Sequence, residues 1–235
     1  MSVLFDNIDL FAKGFWLTLQ LCILAAIGSL VIGTFVAVLR ISPVPPLRGL
    51  GTAYVTVFRN SPLTIVFFMT AFGLPVLGSN ADFLNVPGLN VLFNRLDGLP
   101  YFRFAALALS LYTGAFVCEA IRSGINAVAP GQAEAARAIG LTFTQNLRYV
   151  VLPQAWRAAT VPLGSVIIAM IKNSALAGFF GLVGDLSQTG YDLVIQRGEA
   201  VLPVFIGISA GFLILTMPLG LLLDQFERRT VKART

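Results

Sequence analysis

The sequence contains no histidine. That excludes His-ligated haem, zinc sites built with imidazole, Ser-His nucleophilic catalysis and an imidazole proton relay. Cysteine is nearly absent as well. Only Cys22 and Cys118 occur, both inside apolar segments, so neither a disulfide framework nor a metal site is expected from them. Charge is the third scarcity: 11% of the 235 residues are charged and 57% are hydrophobic, where a soluble domain carries roughly 25% charged residues. Mean hydropathy is +0.83. So few charges cannot solvate a globule, which rules out an ordinary soluble domain and a disordered chain. The net charge of +5 does not point to nucleic acid, because the basic residues lie between long apolar blocks rather than on one polar face.

The apolar blocks are long enough to cross a bilayer, which takes about 20 residues. Five are expected to be transmembrane helices, at about 14–39, 53–78, 102–122, 158–182 and 200–223. The second carries Pro62 and Pro75 and extends back into an amphipathic stretch from Leu47. The first is read as a retained helix rather than a signal peptide, because Asp6 and Asp9 flank it with only Lys13 on the basic side. A short helix is expected near residues 89–96. The whole chain, residues 1–235, reads as a single all-α polytopic membrane domain. An odd number of spans does not divide into two equal repeats, so one copy is expected to supply half of a pore.

Orientation follows from Lys and Arg. Eleven basic residues fall on one side of the five spans: Arg40, Arg48, Arg59, Arg122, Arg137, Arg148, Arg157, Arg228, Arg229, Lys232 and Arg234. Four fall on the other: Lys13, Arg95, Arg103 and Arg197. The richer side is expected to be cytoplasmic, which places the N-terminus outside and the C-terminus inside.

The most informative segment is the cytoplasmic loop between the third and fourth spans, about residues 126–156. Pro130 opens a run of strong helix formers, Gln132 to Ile139. Gly140 then stands where a helix needs a left-handed residue, and Thr142 with Gln145 fits a capping box for a second short helix. Leu147, Val150 and Val151 would form the apolar side of that helix, and Pro153 is expected to stop it. The pattern is helix, glycine corner, helix, held at the membrane surface.

The spacing Glu134-Ala135-Ala136, Gly140, Val150, Leu152-Pro153 closely resembles the EAA loop of ABC-importer permeases. Further segments resemble polar amino acid permeases, the family that handles histidine, glutamate, glutamine and arginine: Gly14-x-x-x-Thr18-Leu19, Phe58-Arg59-Asn60-Ser61-Pro62-Leu63, Tyr112-Thr113, Glu119-x-x-Arg122-x-Gly124-Ile125 and Lys172-Asn173-Ser174. Arg122-Ser-Gly-Ile-Asn126, Gly131-Gln-Ala-Glu-Ala-Ala-Arg137 and Pro153-Gln-Ala are particularly similar to actinobacterial glutamate permease subunits. The resemblance implies a type I ABC importer permease fold. It also implies ATP-driven uptake of a polar amino acid, glutamate first among them, into a bacterial cell through the plasma membrane. Its implied partners are a cytoplasmic ABC ATPase dimer, an extracellular solute-binding protein and a second permease, either a paralogue or another copy. No P-loop of the form G-x-x-x-x-G-K-[ST] occurs here, so ATP and Mg would belong to the partner ATPase. No cofactor is expected on this chain, and no catalytic or metal-ligating residue.

In such a permease the residues Glu134, Ala135, Ala136, Gly140, Leu152 and Pro153 would form the element that couples to the ATPase. A short rigid helix with a glycine corner moves as a body, whereas a floppy loop would absorb the stroke. Lys172 is the exceptional intramembrane charge, costly and functional by default. With Asn173 and Ser174 it either lines a substrate pathway or makes a structural ion pair with Glu119. Thr113, Tyr112, Asn60 and Ser61 complete the pathway candidates. Gly207 and Gly211 form a GxxxG pair that packs either between protomers or within one. The competing reading is a secondary transporter or channel subunit that uses Lys172 and no ATPase.

Overall fold

A computed structural model of the chain describes residues 2–73, 100–180 and 184–232. Those residues form helices and connecting turns, with no β-strand among them. Helices α1 (Ser2–Asp6) and α2 (Ile8–Ile41) begin the chain, followed by α3 (Pro45–Asn60) and α4 (Leu63–Phe68), which runs on as a π turn over Met69–Gly73. Then come α5 (Pro100–Asn126), α6 (Pro130–Ala138) and α7 (Phe143–Asn146). A π turn over Leu147–Val151 leads into α8 (Leu152–Asn173) and α9 (Ala175–Phe179). The last part holds α10 (Leu186–Tyr191), a π turn over Asp192–Gln196, and α11 (Val201–Lys232).

Among the described residues, four stretches are long and apolar enough to span a bilayer: Ile8–Ile41, Phe102–Asn126, Thr144–Phe179 and Val201–Glu227. A fifth crossing exists only if Pro45–Asn60 and Leu63–Gly73 are taken together, and these two are bent by 105°. The sequence places a kink at Pro62. The structure turns it into a corner, because the lost proline N–H and the extended Ser61 (φ −89, ψ 135) end α3 outright. The rest of the expected second span, 74–78, and the helix expected near 89–96 lie outside the described residues.

The bundle is organised by α2 against α5. Helix α2 is apolar on all sides, as a lipid-immersed helix is, so small residues choose its packing face. Thr18, Leu21, Cys22, Ala25, Ser29, Gly33 and Val36 are buried at spacings of three and four, while Ile23, Ile27, Val31, Phe35 and Val38 are exposed on the opposite side. A methyl group at Gly33 would lie 2.7 Å from the Gly114 carbonyl oxygen on α5. Backbones approach this closely only across small residues, the usual device of helix pairs in lipid. The core inside these helices is built from Leu21, Phe67, Phe102, Leu109 and Met170. Gly207 and Gly211 resolve one open alternative: added methyls would meet Phe11 and Leu186 of the same chain. That pair packs within the subunit. Much of α11 instead presents exposed Leu202, Phe205, Leu213, Ile214, Met217 and Leu222.

Pro153 departs from expectation. It does not separate the loop from the next span; it sits in the first turn of α8, and the chain is helical from 143 to 173. The π turn just before it interrupts the i→i−4 ladder where a residue without an N–H must fit.

Candidate functional site

Three features stand one above another along the bundle: a surface helix at one end, a charge cluster above it, and a pocket at mid-depth.

The surface helix is α6. Pro130 occupies its first turn, where a missing N–H costs nothing. Its C-terminus is closed by a complete Schellman motif: Gly140 N donates to Arg137 O at 3.0 Å and Leu141 N to Ala136 O at 3.1 Å. Gly140 has φ +88, so the left-handed corner read from the sequence is present. The capping box is present too, with Thr142 N donating to Gln145 Oε1 at 2.9 Å and Gln145 N to Thr142 Oγ1 at 3.4 Å. Glu134, Ala135, Gly140, Leu152 and Pro153 are exposed, and Ala136 is buried beneath the helix.

Sequence reasoning missed two residues here. Asn146 is buried, and its Nδ2 donates to Ala133 O in α6 at 2.9 Å. This ties α6 to the helical run that continues into α8. The Asn146 Oδ1 is buried without a hydrogen-bond partner. It lies beside a cavity of about 290 Å³ lined by Ile41, Ile125, Val128, Ala133, Arg137, Asn146, Leu147 and Val151. A lone Asn in a polar loop carries no signal that would single it out. The second is Ile139, 80% exposed at the corner of α6. An apolar side chain held that far out at a rigid corner is a signal for a partner surface, visible only once the helix phase is known.

The pocket holds about 200 Å³ and is lined by Tyr112, Thr113, Phe116, Val166, Ala169, Met170 and Asn173. Thr113 is midway along α5, thirteen residues from either end of Pro100–Asn126. Asn173 is the last residue of α8, separated from α9 by Ser174 alone. The lining is mostly apolar, with Tyr112, Thr113 and Asn173 as its polar members. Three pathway candidates therefore come together: Tyr112, Thr113 and Asn173. Lys172 is next to the pocket in the chain and exposed on this subunit. Ser174 does not join them. It is fully buried, its hydroxyl donating to Ile171 O at 2.7 Å and accepting from Cys22 Sγ at 3.5 Å. Asn60 and Ser61 sit at the corner between α3 and α4, away from the pocket lining.

The charge cluster settles the alternative partner of Lys172. Glu119 on α5 is engaged by three arginines: Arg40 hydrogen-bonds its Oε1, and the Nη1 atoms of Arg59 and Arg122 are each 3.7 Å from that oxygen. Lys172 is not among its partners. The reason is position: Glu119 lies six residues along α5 beyond Thr113, about 9 Å toward the α6 end, whereas Lys172 is exposed beside the pocket that Thr113 lines with Asn173. Here Gly124 packs on Ala155 and Ala159, whereas Tyr112 and Thr113 pair with Met170 and Asn173 in the pocket.

Comparison with known proteins gives a consistent result. The family described as binding-protein-dependent transport system inner membrane component is matched over residues 29–232. The chain is 43% identical over 220 residues to a glutamate transport system permease protein of Corynebacterium efficiens, with 93% of each chain covered. It is 39% identical over 233 residues to a probable glutamine ABC transporter permease protein of Bacillus subtilis, with 99% of each covered. Among solved structures, a crystal structure of an amino acid ABC transporter with histidines is similar at TM-score 0.82 and 31% identity, covering 97% of both chains. A methionine ABC transporter in an inward-facing conformation shares the fold at TM-score 0.74 and 23% identity, with 98% of both covered.

Proposed function

The chain belongs to the binding-protein-dependent transport system inner membrane components, and on that premise we propose that it is the permease subunit of an ATP-driven importer whose cargo is glutamate. The carrying observation is the construction of α6. A short exposed helix, locked at its C-terminus by the Schellman corner at Gly140 and tied to the base of α8 through Asn146, moves as one body with the bundle. Glu134, Ala135 and Ile139 form the face offered to a cytoplasmic ATPase subunit. ATP and Mg stay on that partner, working as a dimer.

The pocket at Tyr112, Thr113 and Asn173 is the half-site for the amino acid, completed across a second permease, paralogue or copy. Lys172, exposed beside it, supplies the cation for a cargo carboxylate. An extracellular solute-binding protein delivers the cargo. The N-terminus is outside and the C-terminus cytoplasmic, as the basic residues direct. The choice of glutamate is supported by the relatives named for glutamate transport and by the fit of a cationic side chain to an acidic cargo.

The test is reconstitution of the complete complex, with its binding protein and ATPase, in liposomes. ATPase stimulation and uptake are measured across a panel of glutamate, glutamine, arginine, histidine and cystine. Stimulation and ATP-dependent uptake are expected with glutamate foremost. Uptake that proceeds without ATP on an ion gradient alone sinks the reading.

A further inference from the structure

The cluster around Glu119 has more positive charge than its single carboxylate can satisfy. Three guanidiniums converge on one oxygen, and two of them stay at 3.7 Å, longer than a hydrogen bond. The three side chains are not equally committed. Arg40 is 13% exposed and hydrogen-bonded, whereas Arg59 is 49% exposed. The Arg59 guanidinium also lies over the Phe116 ring, 5.9 Å from its centroid. Phe116 lines the mid-depth pocket, and Glu119 follows it by three residues, about one helical turn nearer the α6 end. Arg40 adjoins Ile41, which lines the cavity beneath α6. The cluster therefore occupies the interval between the pocket and the end that carries α6.

We propose that Arg59 is a second station for the carboxylate of the transported amino acid, on the α6 side of the pocket, with Glu119 as the group that takes Arg59 back when the cargo leaves. This rests on the reading of the chain as an amino acid permease, not on glutamate as the cargo. A loose pair involving a half-exposed arginine is weak, so exchanging Glu119 for an incoming carboxylate costs little. The planar guanidinium grips a carboxylate through two parallel hydrogen bonds. The competing Glu119 keeps that grip temporary, as a transport path requires.

The experiment uses the reconstituted complex with its ATPase and binding protein, and the amino acid that stimulates it best. A wild-type complex with no ATP-driven amino acid uptake refutes the proposed function and says so independently of Arg59. In an active complex, Arg59→Gln is expected to lower maximal uptake about tenfold at equal membrane level, with the half-saturating concentration of loaded binding protein unchanged. Arg59→Lys keeps the charge but loses the two-pronged grip, and is expected to give uptake between that of Arg59→Gln and wild type. Preloading wild-type liposomes with the amino acid is expected to slow uptake. Preloading with its carboxamide, which lacks the charge, is expected to slow it less, and Arg59→Gln should not tell the two apart. Wild-type maximal uptake in Arg59→Gln, or a lysine variant as poor as the glutamine one, overturns the proposal. If Arg59→Gln fails to reach the membrane, the wild-type preloading comparison decides alone: equal slowing by both compounds overturns it.

Discussion

The loop around α6 and the pocket at mid-depth are built by opposite means. The loop is local. Pro130, Gly140, Thr142 and Gln145 act on neighbours within a few residues, through caps and a left-handed corner. The pocket is assembled from α5 and α8, whose lining residues are separated by about fifty positions of sequence. The difference shows which function each can serve. A locally determined helix stays rigid whatever the bundle does, which suits a handle. A site made by two packed helices changes shape whenever they shift, which suits a pathway that must open to alternate sides.

The sharpest way to break this contrast is at Gly140. Its φ of +88 is a conformation that side chains rarely adopt, although an added Cβ would meet nothing within 4 Å. Gly140→Asp is therefore expected to spoil the corner without disturbing packing. ATP-driven uptake should fall by about five- to thirtyfold, the loss following from a backbone strain of roughly 1–2 kcal/mol concentrated on a docking element. Membrane insertion and thermal stability of the bundle should be near wild type. Uptake at wild-type rate in a well-expressed Gly140→Asp complex would show that the handle need not be rigid.

Lys172→Met probes the other region. The exposed ammonium is removed while the apolar stem is kept. Uptake is expected to fall about tenfold or slightly less, with the ATPase still co-purifying and its basal hydrolysis retained. The two variants thus fail in different assays, one in coupling and one in cargo handling. A Lys172→Met complex that loses its ATPase would collapse the distinction between the regions.

Legibility followed the same division. The α6 corner, its capping box and the start of the helix at Pro130 could be read because each depends on residues adjacent in sequence. Four of the five apolar runs coincide with helices long enough to cross a bilayer, because a bilayer demands long apolar runs, and the second is cut by the corner at Pro62. Their packing could not. The sequence leaves Glu119 open as one alternative partner of Lys172, yet Arg40 on α2 and Arg59 on α3 reach it first, and no periodicity encodes which helices meet. Ser174 lies in a polar triplet with Lys172 and Asn173, but successive residues on a helix point about 100° apart, and the third one faces Cys22. Pro153 misled for a related reason: a proline stops a helix from within but opens one in its first turn.

The smallest expected effect lies where the two regions join. Asn146 is the one buried side chain described here that hydrogen-bonds α6 to the run leading into α8, and only its amide nitrogen is satisfied. Asn146→Leu keeps the volume and removes both the tie and the unpaired oxygen. Losing the hydrogen bond costs about 1 kcal/mol, and relieving a buried unsatisfied acceptor offsets a similar amount, so the melting temperature of the complex should barely move. Transport should still suffer, because α6 loses its strut to the bundle. The number of amino acid molecules imported per ATP hydrolysed is expected to drop about two- to threefold, with ATPase co-purification unchanged. Stability and coupling would then separate in a single variant. A wild-type coupling ratio in Asn146→Leu would instead mean that the packing of Ala136 and the exposed Gln154–Gln132 hydrogen bond hold the handle to the bundle.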